Sequence, residues 1–167
     1  MTSHRFGIQA PGQPAAMWQT SEWFNADAGL QLQDLRGRVV VVHAFQMLCP
    51  GCVQHGLPQA QRIHATFAAQ DVAVIGLHTV FEHHAAMTPV SLRAFLHEYR
   101  VEFPVGVDAR AADARDPIPV TMRAYGLQGT PSLLLIDRRG DLRLHAFGAA
   151  EDLLVGAAIA ALVGEPA

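Results

Sequence analysis

The chain has 167 residues, 50% of them hydrophobic and 16% charged, which suits one domain with a real core and excludes an intrinsically disordered chain. A formal net charge of −3 offers no basic stripe to a nucleic-acid backbone. Two cysteines in the whole chain exclude a disulfide-stapled scaffold.

In chain order, residues 1–16 are rich in Pro, Gly and Ala and read as an irregular N-terminal arm. The first dozen residues are polar and lack the apolar core of a secretory signal. Residues 18–25 (WQTSEWFN) read as either an edge strand or an approach loop. Residues 30–33 alternate apolar and polar, as a half-buried strand does. After a turn at Arg36-Gly37-Arg38, the run VVVVHAF (39–45) is continuous and β-branched, the pattern of a strand covered on both faces. That run is far shorter than the ~20 residues a bilayer span needs, so a soluble, cytoplasmic protein with no membrane partner is expected.

The spacing of Val53, Leu57, Ala60, Ile63 and Phe67 predicts a helix over 50–69, opened by Pro50 and kinked at Pro58. Residues 71–77 (DVAVIGL) read as a second buried strand, and 78–89 as a loop carrying His83 and His84. A helix over 91–100 follows, capped by Ser91 or Thr88. Next come a short strand at 103–108, a polar loop at 109–119 and a short helix at 120–125 ended by Gly126. Residues 132–137 read as a buried strand, 138–141 as a hairpin turn, 142–147 as its return strand and 151–163 as a final Ala-rich helix. This β-β-α-β-α-β-α-β-β-α order predicts an α/β fold, with a central mixed sheet flanked by helices on both faces.

The chemistry concentrates at Cys49-Pro50-Gly51-Cys52, where the central strand ends and a helix begins. A helix start aims free backbone N–H groups and the positive end of its dipole at the first residue. Such an environment favours a thiolate, the species that attacks disulfides. Cys49 is therefore expected to attack, and Cys52, one turn inward, to resolve the mixed disulfide. A zinc reading would need two His beside the two Cys, and no second His stands at a clean ligand spacing, so no metal is expected. An inert buried pair is the remaining alternative.

The segments LRGRVVVV (35–42), FQMLCPGC (45–52), GLQGTPS (126–132) and LLLIDRRG (133–140) together resemble the thioredoxin-fold redoxin family. This branch includes alkyl hydroperoxide reductase/thiol-specific antioxidant proteins and TlpA-like thiol–disulfide oxidoreductases. The resemblance implies one thioredoxin-like domain over 1–167 and a cis Pro131 packed beside the cysteines. It also implies a free Thr130 backbone that, with Leu48 and Pro50, meets the substrate. The position where many relatives bury an acid holds His43, which could accept the Cys52 proton or simply be a core residue. Pro58 falls one residue later than the family spacing, which points to an inserted residue near Gly56 and a π-bulge.

Peroxiredoxins share the fold, but they carry Thr or Ser three residues before the reactive Cys, where this chain has Gln46. A thiol peroxidase therefore stands as the alternative activity, with Cys49 peroxidatic and Cys52 resolving. A non-catalytic redox or metal-binding module is a third reading, with His78, His83 and His84 as a loose cluster. No nucleotide or flavin motif is present, so no cofactor is expected and electrons should come from an external thiol reductant. The expected partners are a disulfide-bearing protein or small thiol substrate, in a chain that is a monomer or weak homodimer.

Overall fold

Residues 39–45 form the centre of the molecule because their β-branched side chains fit a pleated strand and can be buried on either face. The computed structural model describes residues 7–167; the first six residues of the arm lie outside the described residues. Six strands form one mixed sheet: β1 (Thr20–Phe24), β2 (Val39–Phe45), β3 (Val72–His78), β4 (Val105–Asp108), β5 (Ser132–Ile136) and β6 (Leu142–Phe147). Their spatial order is β1-β4-β3-β2-β5-β6. Strand β2 pairs parallel with β3 and antiparallel with β5, so it is hydrogen-bonded on both edges.

Alternation along β2 sends its side chains to two cores. Val39, Val41 and Phe45 meet α1 (Leu57–Thr66), α2 (Pro89–Glu98) and α4 (Asp152–Val163) through Leu57, Leu92 and Ile159. Val40, Val42 and Ala44 face the other way, towards Trp18, Met122 and Tyr125, the last two on or beside α3 (Val120–Ala124). His43 shares the parity of Val41 and Phe45, which puts it on the α1 face, stacked on Phe45 with ring centroids 5.5 Å apart.

The element order matches the sequence reading, with one exchange of segments. Residues 18–25 do contain an edge strand, β1, antiparallel to β4. The alternating stretch 30–33 is not a strand. Leu32–Leu35 is a 3₁₀ turn that buries Leu32 and Leu35, three apart, on one side. The alternation comes from Leu30, which lies before the turn, while the three-residue period needs Leu35 to show. The turn is held at its start by Gln31 N–H donating to Asp34 Oδ2 at 2.9 Å.

Several boundaries also move. The long helix ends at Thr66, not 69. Strand β3 runs on to His78, which the sequence placed in the loop. Helix α2 starts at Pro89, with Thr88 as its cap, accepting from Ser91 N–H. The described part of the arm is not loose. It lies along β6, where Leu142 N–H donates to Gln13 O at 2.8 Å and Gln9 N–H to Arg143 O at 2.7 Å.

Candidate active site

The helix after β2 begins at Pro50, widens into a π turn over Cys52–Gly56, and returns to α-helix at Leu57. Leu57 N–H donates to Cys52 O, five residues back, which is the signature of the inserted residue near Gly56. Pro58 then stands directly after the π turn, as the second residue of α1.

Both cysteines are free thiols, one half-buried (Cys49) and one buried (Cys52). Their sulfurs are 2.6 Å apart. Cys52 N–H donates to Cys49 Sγ at 3.2 Å, so the helix start does present a donor to the first sulfur. Burial pushes the Cys52 thiol up to about 12, helped by its neighbour Cys49 and opposed by the Gln46 backbone and Thr130. Cys52 therefore keeps its proton at neutral pH until a base takes it.

The peptide between Thr130 and Pro131 is cis. Cys49 Sγ lies 3.5 Å from Thr130 O, and Pro131 Cδ would stand 3.2 Å from a Cβ on Gly51. The proline thus packs on the short link between the two cysteines. Leu48 and Pro50 are both exposed next to Cys49, and Leu48 is 56% accessible. Phe147, 55% accessible, packs over Gly129 in the loop before Pro131. Leu48 and Pro50 thus flank Cys49 with apolar surface open to solvent.

His43 is brought to the same place from below. A Cβ on Gly56 would collide with the imidazole, 2.8 Å from Nε2, so the π turn that starts at Cys52 rests directly on this ring. Burial pulls the imidazole down to about 4, which keeps it neutral near pH 7. Its Nε2 is buried with no hydrogen-bond partner among the described residues. His43 also lines a cleft of about 370 Å³ beside Pro131, between α1 and the 148–152 segment.

Gln46, where a peroxiredoxin would offer a hydroxyl, does not point its amide at Cys49. Its Oε1 accepts from Phe81 N–H at 3.2 Å and its Nε2 reaches Glu82 at 3.4 Å. His78, His83 and His84 do not form a cluster. His78 is buried at the end of β3, its Nε2 accepting from Met47 N–H, while His83 is exposed in the following loop. Among the described residues, no three His, Cys, Asp or Glu side chains could together hold a metal ion. Sequence reading missed His78 as a neighbour of the site. The signal was the equal length of the two parallel runs: pairing 39–45 with 72–78 places His78 opposite Phe45.

Residues 11–145 match the family model of the AhpC/TSA family. Among solved structures, the thioredoxin-like superfamily protein SPOA0173 is 59% identical, with a TM-score of 0.90 over 93% of this chain and 99% of that one. A thiol-disulfide isomerase from Corynebacterium glutamicum is 48% identical, with a TM-score of 0.87 over 92% of this chain and 97% of that one. Thiol-disulfide oxidoreductase ResA of Halalkalibacterium halodurans is 22% identical over 126 residues, 75% of this chain and 63% of that protein. The chain thus spans less than two-thirds of that relative's length. No helix among the described residues is long and apolar enough to cross a membrane.

Proposed function

Because the chain belongs to the AhpC/TSA family, with the thioredoxin-like fold of its structural neighbours, we propose that it is a thiol–disulfide oxidoreductase working through Cys49 and Cys52. One observation carries this reading: a half-buried sulfur that receives a backbone N–H, paired with a buried thiol that holds its proton. The names of the Corynebacterium isomerase and of ResA support it.

The Cys49 thiolate attacks one sulfur of a substrate disulfide. A Cys49–substrate bond forms, the substrate S–S bond breaks, and the leaving thiolate takes a proton from water. Cys52 then gives up its proton and attacks Cys49 Sγ. An intramolecular disulfide forms and the second substrate thiol leaves. The substrate gains two electrons and the pair loses two, which an external thiol reductant restores. His43 is the proposed acceptor of the Cys52 proton, being neutral, unpartnered at Nε2 and packed under the turn that begins at Cys52. Leu48, Pro50 and the Thr130 backbone would meet the substrate, with Pro131 holding the link between the cysteines. A monomer or weak homodimer of a single domain, acting in the cytoplasm on protein or small disulfides, completes the proposal.

The test offers the reduced protein hydrogen peroxide in one tube and insulin in another, and follows thiol loss in both. Rapid oxidation by insulin with a sluggish response to peroxide is expected. The reverse would make the protein a thiol peroxidase, against the engagement of Gln46 by Phe81 and Glu82. Inertness towards both would favour the non-catalytic module.

A further inference from the structure

Cys49 stands on a short turn, residues 46–48, that belongs neither to the β2 ladder nor to the helix. Within that turn, Met47 N–H donates to His78 Nε2 at 3.3 Å, in a fully buried bond. The peptide that carries this N–H also carries the Gln46 carbonyl, which accepts Cys49 N–H at 3.1 Å. A peptide unit is planar and rigid, so fixing its N–H end fixes its carbonyl end. His78 and the backbone of the nucleophile are thus held by opposite ends of one plate.

The arrangement follows from strand register. His78 is the last residue of β3 and lies opposite Phe45, the last of β2, with ring centroids 5.2 Å apart. Accepting at Nε2 requires that nitrogen to be bare, so the ring proton sits on Nδ1. Burial keeps the imidazole neutral, drawing it down to about 4, and the acceptor persists at working pH. The chain after His78 adds a second tie to the same turn, through Phe81 N–H and Gln46 Oε1.

We propose that His78 is a positioning residue for Cys49: its Nε2 anchors the Gln46–Met47 peptide and thereby sets where the attacking sulfur stands. The inference rests on the reading of Cys49 as the attacking thiol. His78 acts through the backbone, with no hydrogen bond to either sulfur among the described residues.

The test measures alkylation of Cys49 by iodoacetamide at pH 7 in the reduced full chain, read by peptide mass, beside the Tm of each variant. Gln reaches as far from Cβ as the imidazole Nε2 and offers Oε1 as an acceptor; Asn is one bond too short. His78→Asn and His78→Leu are expected to slow alkylation about tenfold, the loss of roughly one hydrogen bond's worth of preference for the reactive geometry. His78→Gln should stay within about threefold of the parent. If His78→Leu does not fold, the Gln and Asn pair decides the matter alone. Equal rates in Gln and Asn, or parent rates in every variant, would overturn the proposal. So would failure of all three to fold, because His78 would then serve the sheet and not the thiol. Alkylation needs no disulfide substrate, so this result stands apart from the insulin assay that tests the function.

Discussion

Where β2 stops and β5 begins, His43 Nε2 is buried without a partner among the described residues, the buried Cys52 thiol holds its proton, and Leu48 and Phe147 face solvent. At the opposite end of the same two strands, Asp137 accepts from Arg139 N–H and Asp141 N–H and pairs with Arg143 at 2.9 Å. Arg143 also donates to Gln9 O and to Glu165, joining the hairpin, the arm and the chain's last turn. Burial pushes the Asp137 carboxyl up, but the bonds from Asp141, Arg143 and Arg139 more than offset it and hold it below the usual range. One end of the sheet pairs its buried charges, while the other leaves one buried nitrogen, His43 Nε2, available. A proton acceptor that already had a full set of bonds could not take another proton.

That contrast can be broken most sharply at the cysteines. Cys49→Ser should abolish insulin reduction, and Cys52→Ser should accumulate mixed disulfides visible by mass on non-reducing gels; full turnover by Cys49→Ser would end the assignment. The far end should respond in stability alone. Arg143→Met leaves Asp137 buried with only the backbone N–H groups of Arg139 and Asp141, and a loss of about 1 to 3 kcal/mol is expected from urea melts. Cys49 alkylation should keep its parent rate, since the change lies at the other end of β5.

Gly56→Ala should cost up to about 3 kcal/mol, because the added methyl collides with the His43 ring. In a His43→Ala background the same change should cost far less. An unchanged penalty in the double variant would show that the π turn, and not the imidazole, sets the demand for glycine. Taken group by group, the smallest effect is in pH. His43 and His78 have folded values near 4, below the ordinary 6.5, so the unfolded chain binds more protons between those limits. Stability is complete above pH 6.5 and declines as pH falls towards 4, by about 1 to 2 kcal/mol for each imidazole between pH 7 and 5. Asp137 and Glu165 are depressed instead, so their contribution is present above the ordinary carboxylate range and lost only below it. Melts against pH should therefore show two windows, and His43→Leu should shrink the upper one only.

Much of the fold was legible. The run 39–45 announced a strand buried on both faces, and the late Pro58 announced the extra residue that the π turn absorbs. The stretch 30–33 misled because the buried pair of the turn, Leu32 and Leu35, reaches beyond the four residues that alternate. His78 was read as loop because a polar residue after an apolar run looks like a strand end. It stays in the strand because Met47 N–H supplies a partner for its ring.

The sequence by itself determined the cysteine pair, its place between strand and helix, and the alternation that turns His43 towards α1. These depend on neighbours along the chain, whose spacing local geometry fixes. Only the tertiary structure decided that His43 lies unpartnered against Gly56 and that His78 reaches Met47. It also decided that the Gln46 amide turns to Phe81 and that Arg143 gathers both termini of the described chain. Each of these joins segments distant in sequence, and strand register with side-chain packing, not local propensity, sets which atoms meet.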